Sequence, residues 1–241
     1  MEPVTVIINV FNEVETIERE IRQIHSKIVS RIPGSELIVA EDGSSDGTPE
    51  VIQRLVAELG VRHSTGLERK GYTQAFRDAI GLAKNSWVFF SDTGGKNDFA
   101  DFWKLYEARE DTDLVIGSRR ARQDQFYRRC LTRAYNRLLQ IYFGVPTNDA
   151  DSGFRLYRAS ILQKVARQNW INKDLISSEI VVRMHYMGAR LKEVPVGYFR
   201  RQGTSRGLPV TRIPKVIFQV IKNFPRLKQD ARKLEKLTLA K

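Results

Sequence analysis

Apolar residues follow two rhythms along this chain. Short solid runs, VTVIIN (4–9), ELIVA (36–40), WVFFS (87–91) and DLVIGS (113–118), have the length of buried strands. Between them, apolar residues recur three or four apart. Ile17, Ile21, Ile24 and Ile28 predict a helix over residues 14–30. A second helix is predicted over 49–59, with Thr48 as its cap and Pro49 at its first position. A short strand is expected near Val61, and the helix after Gly71 carries Ala75, Ala79 and Leu82. Such alternation predicts an α/β domain, a mostly parallel central sheet flanked by helices on both faces. The strands end at Asn9, Glu41, Ser91 and Ser118, and in a parallel sheet those ends share the edge where a ligand site belongs.

The second half is less regular. Residues 123–143 read as a long helix rich in Arg and aromatic residues, and NDADSGFRLYR (148–158) as a loop entering a strand. Residues 177–187 read as a helix, and LKEVPVGYF (191–199) as a strand pair or a bent strand. Beyond residue 208, Val210, Ile213, Val216, Ile217, Val220, Ile221 and Phe224 fall on one helical face, with Arg212, Lys215, Gln219 and Lys222 elsewhere on the wheel. This is a basic amphipathic helix, and a weaker one follows with Leu227, Ala231 and Leu234. Such a stripe either docks on the domain or lies on a membrane. No repeat or linker interrupts the chain, so it divides into one domain, 1–208, and a basic helical tail, 209–241.

Composition narrows the picture. A chain of 241 residues, 41% hydrophobic and 28% charged, can bury a full core and is too apolar for disorder. Its one cysteine, Cys130, rules out an intramolecular disulfide, fits a reducing compartment and reads as a buried small hydrophobe. The first apolar run is a strand rather than a signal peptide, and no run approaches the ~18 residues of a membrane span. A cytosolic protein, or one peripheral on a membrane, is expected. The net charge is +12, and from Arg200 onward twelve Lys and Arg face two acids, Asp230 and Glu235. That asymmetry points to a polyanionic partner. The apolar stripe favours an anionic membrane surface, where each cation is worth about 1 kcal/mol. Nucleic acid is not expected, because no recognition motif accompanies the charge.

The densest chemistry lies in ELIVAEDGSSDGT (36–48), where an apolar run stops on Glu41 and Asp42 before a Gly/Ser/Asp turn and a helix. Acids at a strand end suit hydrogen bonds to the base and ribose of a nucleotide; phosphates call for N–H groups and cations. Arg69 and Lys70, in the loop before a helix start, are cations placed to meet a diphosphate. Asp98 reads as the cap of the helix that follows it.

Five segments, in order, resemble the family 2 glycosyltransferases of GT-A fold, of the dolichol-phosphate mannose synthase type and related polyprenyl-phosphate sugar transferases. VIINVFNE (6–13) is similar to the family's first strand and its Pro-x-Tyr-Asn-Glu ending. VAEDGSSDGT (39–48) resembles Val-Asp-Asp-Gly-Ser-x-Asp-Gly-Thr, and FFSDTGGKND (89–98) occupies the place of the Asp-x-Asp strand end. NDADSGFRLYR and LKEVPVGYFRRQGTS (191–205) look like the acceptor-side loop and the Glu-Val-Pro-Val…Arg-x-x-Gly-x-Ser signature. The resemblance spans roughly residues 4–206.

On the donor side, the resemblance implies that Asn9, Phe11 and Glu13 contact the nucleotide base and that Glu41 and Asp42 bond base and ribose. Asp92 matches the first acid of the metal-binding Asp-x-Asp, but Gly94 stands in place of the second acid and Lys96 where glutamine is common. A sugar–nucleotide bond breaks only if the departing diphosphate is neutralised, and the family does this with Mg²⁺ or Mn²⁺ held by carboxylates. Three arrangements stay open. Asp92 holds the ion with help from the phosphates; Lys96, with Arg69 or Lys70, replaces it; or the chain binds a donor without turning it over.

On the acceptor side, Arg119 matches Gly-Ser-Arg, and Arg128, Arg129, Thr132 and Asn136 resemble the Arg…Ser-Arg…Asn pattern of the next helix. Ser152 lies in the acceptor-side loop, and Arg201 and Ser205 match the late signature. Converging guanidinium groups imply an anionic acceptor. Asp149 or Asp151 would serve as general base for a hydroxyl acceptor, whereas a phosphate, with a second pKa near ~6, needs none. Glu179 matches a later acid and reads as structural; His185 reads as a packed or surface residue. The expected activity is an inverting transfer of a hexose from a GDP- or UDP-linked sugar to a polyprenyl or dolichyl phosphate at the cytosolic membrane face. A saccharide or protein hydroxyl acceptor and a silent nucleotide-sugar-binding scaffold are the alternatives. A membrane-protein partner stays open.

Overall fold

The computed structural model describes residues 1–64, 69–119, 126–171, 176–199 and 213–239. Each apolar run becomes a strand whose alternate residues feed opposite cores. The strands are β1 (Val4–Val10), β2 (Glu36–Glu41), β3 (Arg62–Ser64), β4 (Trp87–Asp92), β5 (Leu114–Arg119), β6 (Phe154–Arg158) and β7 (Leu191–Val196). They form one sheet of order β3-β2-β1-β4-β6-β5-β7. On one face Val6, Ile8, Val39, Phe89 and Leu156 pack under α1 (Ile17–Lys27), α2 (Thr48–Leu59) and α4 (Phe102–Glu107). On the other, Ile7, Ile38, Val88, Phe90 and Ile116 pack under α3 (Tyr72–Leu82), α5 (Phe126–Phe143), α6 (Ala159–Ala166), α7 (Ile176–Tyr186) and α8 (Ile213–Leu239).

All pairings are parallel except the two that β6 makes, with β4 and with β5. The ends of β1, β2, β4 and β5 therefore share one edge, as the alternation predicts. The register sets Asn9 between Ala40 and Asp92, and Val10 opposite Glu41. Because β6 is reversed, its beginning lies at that same edge, and the loop before it is delivered beside Asp92.

Several elements differ from expectation. The first helix is shorter than 14–30, because the chain tightens into a 3₁₀ turn at Val29–Arg31. Helix α2 starts at Thr48, with Gly47 left-handed at the cap position (φ 84°), and Thr48 N donates to Asp46 Oδ1 at 3.1 Å. Capping thus passes from Thr48 to Asp46. Helices α4 and α6 carry no expectation from the pattern; both are short. Residues 191–199 form one strand followed by an isolated bridge between Tyr198 and Asn97. Cys130 is exposed on α5 rather than buried.

The two tail helices are one helix, α8, with Pro225 inside it. Val220, Phe224, Leu227, Ala231 and Leu234 continue a single buried stripe across the proline. The Phe224 ring meets those of Tyr142 and Phe143 at 5.3 and 4.9 Å between centroids. Most of the stripe thus docks on the domain, while Ile217, Phe218 and Ile221 remain exposed. Val210 lies outside the described residues. Among the described residues, no helix is long and apolar enough to cross a membrane.

Asp92 and Gly153 approach closely at the site edge. Asp92 N donates to Gly153 O at 2.8 Å, and a Cβ on Gly153 would stand 1.9 Å from Asp92 Oδ2. Gly153→Ala is expected to cost about 1–3 kcal/mol in urea unfolding, as overpacking does. Gly81→Ala, in α3 with open space around its Cβ position, is expected instead to gain about 0.5–1 kcal/mol. Equal effects of the two would show that Asp92 has room to move.

Candidate functional site

The half expected to take the donor is built by the ends of β1 and β2. Asn12, left-handed at φ 53°, accepts from Ser45 N through its Oδ1 and donates its own amide to Ser44 Oγ, both at 2.8 Å. These bonds tie the two strand ends together. Glu13 N donates to Thr48 Oγ1 at 2.9 Å, and the Glu13 carboxylate accepts from Thr16 Oγ1, so Glu13 also sets the start of α1. Glu41 is buried and accepts from Ser44 N.

Asp42 is 5% exposed, and its Oδ1 accepts from Lys70 N at 2.9 Å and Gly71 N at 2.7 Å. It thereby holds the N-terminal approach to α3, and Arg69 Nε lies 3.7 Å from Oδ2. The Arg69 guanidinium lies 3.9 Å over the Phe11 ring, a cation–π stack on a half-buried face. The Lys70 ammonium turns to Asp78, at 3.0 Å. Asn9 Nδ2 donates to Tyr72 O at 3.1 Å, while its buried Oδ1 has no hydrogen-bond donor among the described residues. Such an orphan acceptor is unusual in a folded interior.

Asp92 occupies the centre. The Tyr72 side chain is 39% exposed, but its hydroxyl donates to Asp92 Oδ1 at 3.1 Å, and desolvation of that hydroxyl, with the charge of Asp92 added, pushes it above the usual tyrosine range. The following turn contains Gly94 and Gly95, both left-handed, at φ 98° and 68°. Their amides donate to Glu20 of α1. Asp98 caps the turn Phe99–Asp101 by accepting from Ala100 N at 2.9 Å, as expected, and pairs with Lys27 at 3.0 Å. Among the described residues, no cluster of three or more acids, His or Cys gathers as a metal seat, and no carboxylate pairs with Lys96. Asp92, bonded to Tyr72 and backed by Gly153, does not make the two-acid seat of an Asp-x-Asp site.

The half expected to take the acceptor is the loop before β6, facing α5. Arg119 and Asp149 form a buried bidentate pair, with Nε to Oδ2 at 2.8 Å and both side chains under 10% exposed. Each satisfies the other, so neither stands as an isolated charge. This changes the expectation for Asp149 as a base and for Arg119 as a contact to the acceptor. Ser152 is fully buried and donates to Gly117 O at 2.6 Å, so its hydroxyl secures the loop in place of the acceptor contact expected of it. Asp151 is half-buried, and burial, with Asp92 and Asp149 opposing Arg119 and Arg155, pushes its carboxyl up to about 6.

Beside this loop is a cavity of about 580 Å³ lined by Arg129, Thr132, Arg133, Arg137 and the Arg119–Asp149 pair, among others. Arg129, Arg133 and Arg137 recur every fourth residue along one face of α5. Asn136, buried beneath them, accepts from Ala150 N at 2.9 Å and so orients the loop. The Arg128 side chain, and Arg201 and Ser205 altogether, lie outside the described residues. Glu179 is fully buried with Arg183 at 2.8 Å inside α7, a structural pair. His185 is half-buried against Tyr186, its imidazole pushed down by burial.

Four residues of the site carry no assignment from the sequence: Tyr72, Arg133, Arg155 and Glu20. Arg155 is fully buried, donates to Ser177 O at 2.8 Å and also bonds Ala150 O, joining the acceptor loop to α7. An arginine inside the apolar strand FRLYR, and a glutamate among the isoleucines of α1, are the signals that could have found two of them.

The model of the family described as Glycosyl transferase family 2 matches residues 5–166. The chain is 28% identical to an undecaprenyl-phosphate mannosyltransferase of Micrococcus luteus, over 83% of this chain and 84% of that protein. It is 26% identical to a dolichyl-phosphate hexose transferase of Haloferax volcanii, over 85% of this chain and 86% of that one. It is 29% identical to the glycosyltransferase AglD of Haloferax volcanii, over 81% of this chain, and there it spans only 33% of the relative's length. A glucosyl-3-phosphoglycerate synthase from Mycobacterium tuberculosis, solved with Mn²⁺, UDP and product, shares the fold at a TM-score of 0.69 and 17% identity, over 95% of this chain and 80% of that one. With a seven-stranded, mostly parallel sheet of GT-A type and a family match over more than half its length, the chain belongs to glycosyl transferase family 2.

Proposed function

We propose that this protein is an inverting hexosyltransferase that uses a nucleoside-diphosphate sugar, GDP- or UDP-linked, and a polyprenyl or dolichyl phosphate acceptor. The observation that carries this reading is the arginine-lined cavity on α5, beside the end of β5 and the loop that leads into β6. The relatives matched over most of their length are named for polyprenyl-phosphate acceptors, and an arginine row suits a phosphate headgroup.

In this reading the base stacks at Phe11 after Arg69 moves aside, and the Asp42 loop holds Arg69 and Lys70 near the diphosphate. A phosphate oxygen of the acceptor attacks the anomeric carbon. The bond from that carbon to the diphosphate breaks on the opposite side, and the nucleotide leaves with the electron pair. The acceptor, largely dianionic above its second pKa near ~6, needs no base. The leaving group needs positive charge, which Lys96 supplies in preorganised form. Asp92 and its Tyr72 partner orient the donor sugar.

A second reading has one observation in its favour. Asp151, with its carboxyl at about 6, is poised as a general base for a hydroxyl acceptor. Asp151→Asn should cut transfer to a hydroxyl acceptor by about 10²–10⁴-fold, yet leave transfer to a polyprenyl phosphate within about tenfold. Assays with both acceptors decide between them.

The exposed Ile217, Phe218 and Ile221, with exposed Lys215, Lys222 and Arg226 on the same helix, support a peripheral position on the cytosolic face of an anionic membrane. Replacing the three apolar residues with serine should release the protein from phosphatidylserine vesicles in a sedimentation assay without unfolding it. Unchanged binding would contradict this placement.

The donor site is tested by calorimetric titration with UDP and GDP, each with Mn²⁺ and with EDTA. One nucleotide should bind, and Asp42→Ala should weaken it by tenfold or more, about 1.4 kcal/mol. Binding only with Mn²⁺ would assign neutralisation to an ion at Asp92. No binding of either nucleotide would remove the donor site, and with it both the transferase reading and a nucleotide-sugar-binding scaffold.

A further inference from the structure

Glu20 breaks the pattern of the helix that carries it. Ile17, Ile21 and Ile24 of α1 are buried, and Glu20 lies among them, 2% exposed. A carboxylate removed from water to that extent requires donors. Glu20 takes them from the loop after β4, where Gly94 N donates to Oε2 at 3.3 Å and Gly95 N donates to Oε1. Two successive left-handed residues make a turn that an L side chain resists, so an aspartate at position 94 would be strained at φ 98°.

The rest of this loop is tied down as well. Phe199 N donates to Lys96 O at 2.8 Å. Asn97 Nδ2 donates to Ser91 Oγ at 3.1 Å, and Lys27 of α1 pairs with Asp98 at 3.0 Å. Lys96 is held between these bonds and the glycine pair, on the segment that begins at Asp92. Where a second acid would hold a metal ion, the chain has instead an acid beneath the loop, turned to its backbone.

We propose that Glu20 is a positioning residue for sugar transfer: by binding the amides of Gly94 and Gly95 it fixes the turn that presents Lys96 to the departing diphosphate. The proposal rests on the transferase reading. It makes the Glu20–glycine clamp and Lys96 one device, in which the carboxylate acts only through the lysine.

The clamp has a pH signature. Burial, opposed by the two amides, lifts the Glu20 carboxyl to about 7, with Glu13 raising it further and Arg19 drawing it down. The other charged groups are Glu18, Arg22, His25 and Lys27 of α1, Arg54 and Glu58 of α2, which pair with Glu18 and Arg22, and Asp92, Lys96 and Asp98 of the loop, the last paired with Lys27. Only the ionised form offers full acceptor strength to both amides, so the clamp loosens as pH falls through about 7. Fold stability moves the opposite way. A folded carboxyl at about 7 against 4.5 in the open chain means that the native state holds the proton more tightly, so stability is fully present below 4.5 and is lost as pH rises through 7.

The test compares wild type, Glu20→Gln, Glu20→Leu, Lys96→Ala and the Glu20→Gln/Lys96→Ala double variant. The readouts are kcat, donor KM and melting temperature between about pH 5.5 and 8.5, with UDP-glucose and GDP-mannose as donors and a short polyprenyl phosphate as acceptor. Glu20→Gln should lower kcat by about tenfold or more with donor KM within about threefold, the mark of a contact made in the transition state. Its melting temperature at the alkaline end should be unchanged or higher, and its acid limb near neutrality should flatten. Glu20→Leu should keep the fold and lose kcat equally. The double variant should lose no more than Lys96→Ala alone.

The proposal is overturned if Glu20→Gln or Glu20→Leu keeps kcat within about twofold of wild type, or if the losses add in the double variant. Unfolding of both single Glu20 variants would make the residue merely structural and overturn it too. A wild-type protein that turns over neither donor brings down the transferase reading, and this proposal with it. A working wild type with indifferent Glu20 variants brings down the proposal alone.

Discussion

The amide of Asp92 donates to the carbonyl of Gly153, and the Asp92 carboxylate leans on a position with no side chain. Through this contact the one reversed strand, β6, hands its preceding loop to the edge where the parallel strands end. That loop is then fixed from several sides. Asp149 is paired with Arg119 of β5, Ser152 bonds the β5 carbonyl of Gly117, and Ala150 is held between Asn136 of α5 and Arg155 of β6. Buried polar bonds of this kind strengthen one another and fix a single geometry. The ends of β1 and β2 are tied by Asn12 to Ser44 and Ser45, by Glu13 to Thr48, and by Asp42 to the amides of Lys70 and Gly71.

Most of the sheet was legible because its strands are solid apolar runs, which only a two-sided burial explains. The direction of β6 was not. A five-residue run such as FRLYR reads the same whichever way it pairs, and its neighbours in the sheet are distant in sequence. The tail shows a different limit. Helical periodicity identifies the stripe from Val220 to Leu234, but the same stripe fits a protein surface or a lipid surface, and here most of it meets α5 and α7.

Charges at the site were the hardest to read, because a sequence presents them singly and the fold presents them in pairs. Arg119 cancels Asp149, Lys70 turns to Asp78, and Arg69 lies beside Asp42. Among the described residues, no carboxylate pairs with Lys96, Arg133 or Arg137, and these are the cations left with most to offer an anion. Lys96 was visible from its place after a missing acid. Arg133 and Arg137 emerge only when α5 is seen to turn one face to the cavity. Glu20 was visible in principle, as the one acid inside the isoleucine stripe of α1, and the glycine pair it binds explains why that acid is tolerated.

If Phe11 takes the base, as proposed, the stack of Arg69 on its ring makes the protein an occupant of its own site. An incoming aromatic ring has to displace the guanidinium before it can use the same face, so the intrinsic affinity of the slot is scaled down by the fraction of molecules in which the face is bare. The displaced arginine is not lost to the complex, because it is freed next to the phosphates that arrive with the ring. On that reading the same side chain would serve as a competitor for the base and a counterion for the diphosphate. On that reading a ligand that brings a ring without phosphates meets only the competition, and one that brings both recovers what it displaces, so the slot would discriminate nucleotides from free nucleosides before any further contact is made.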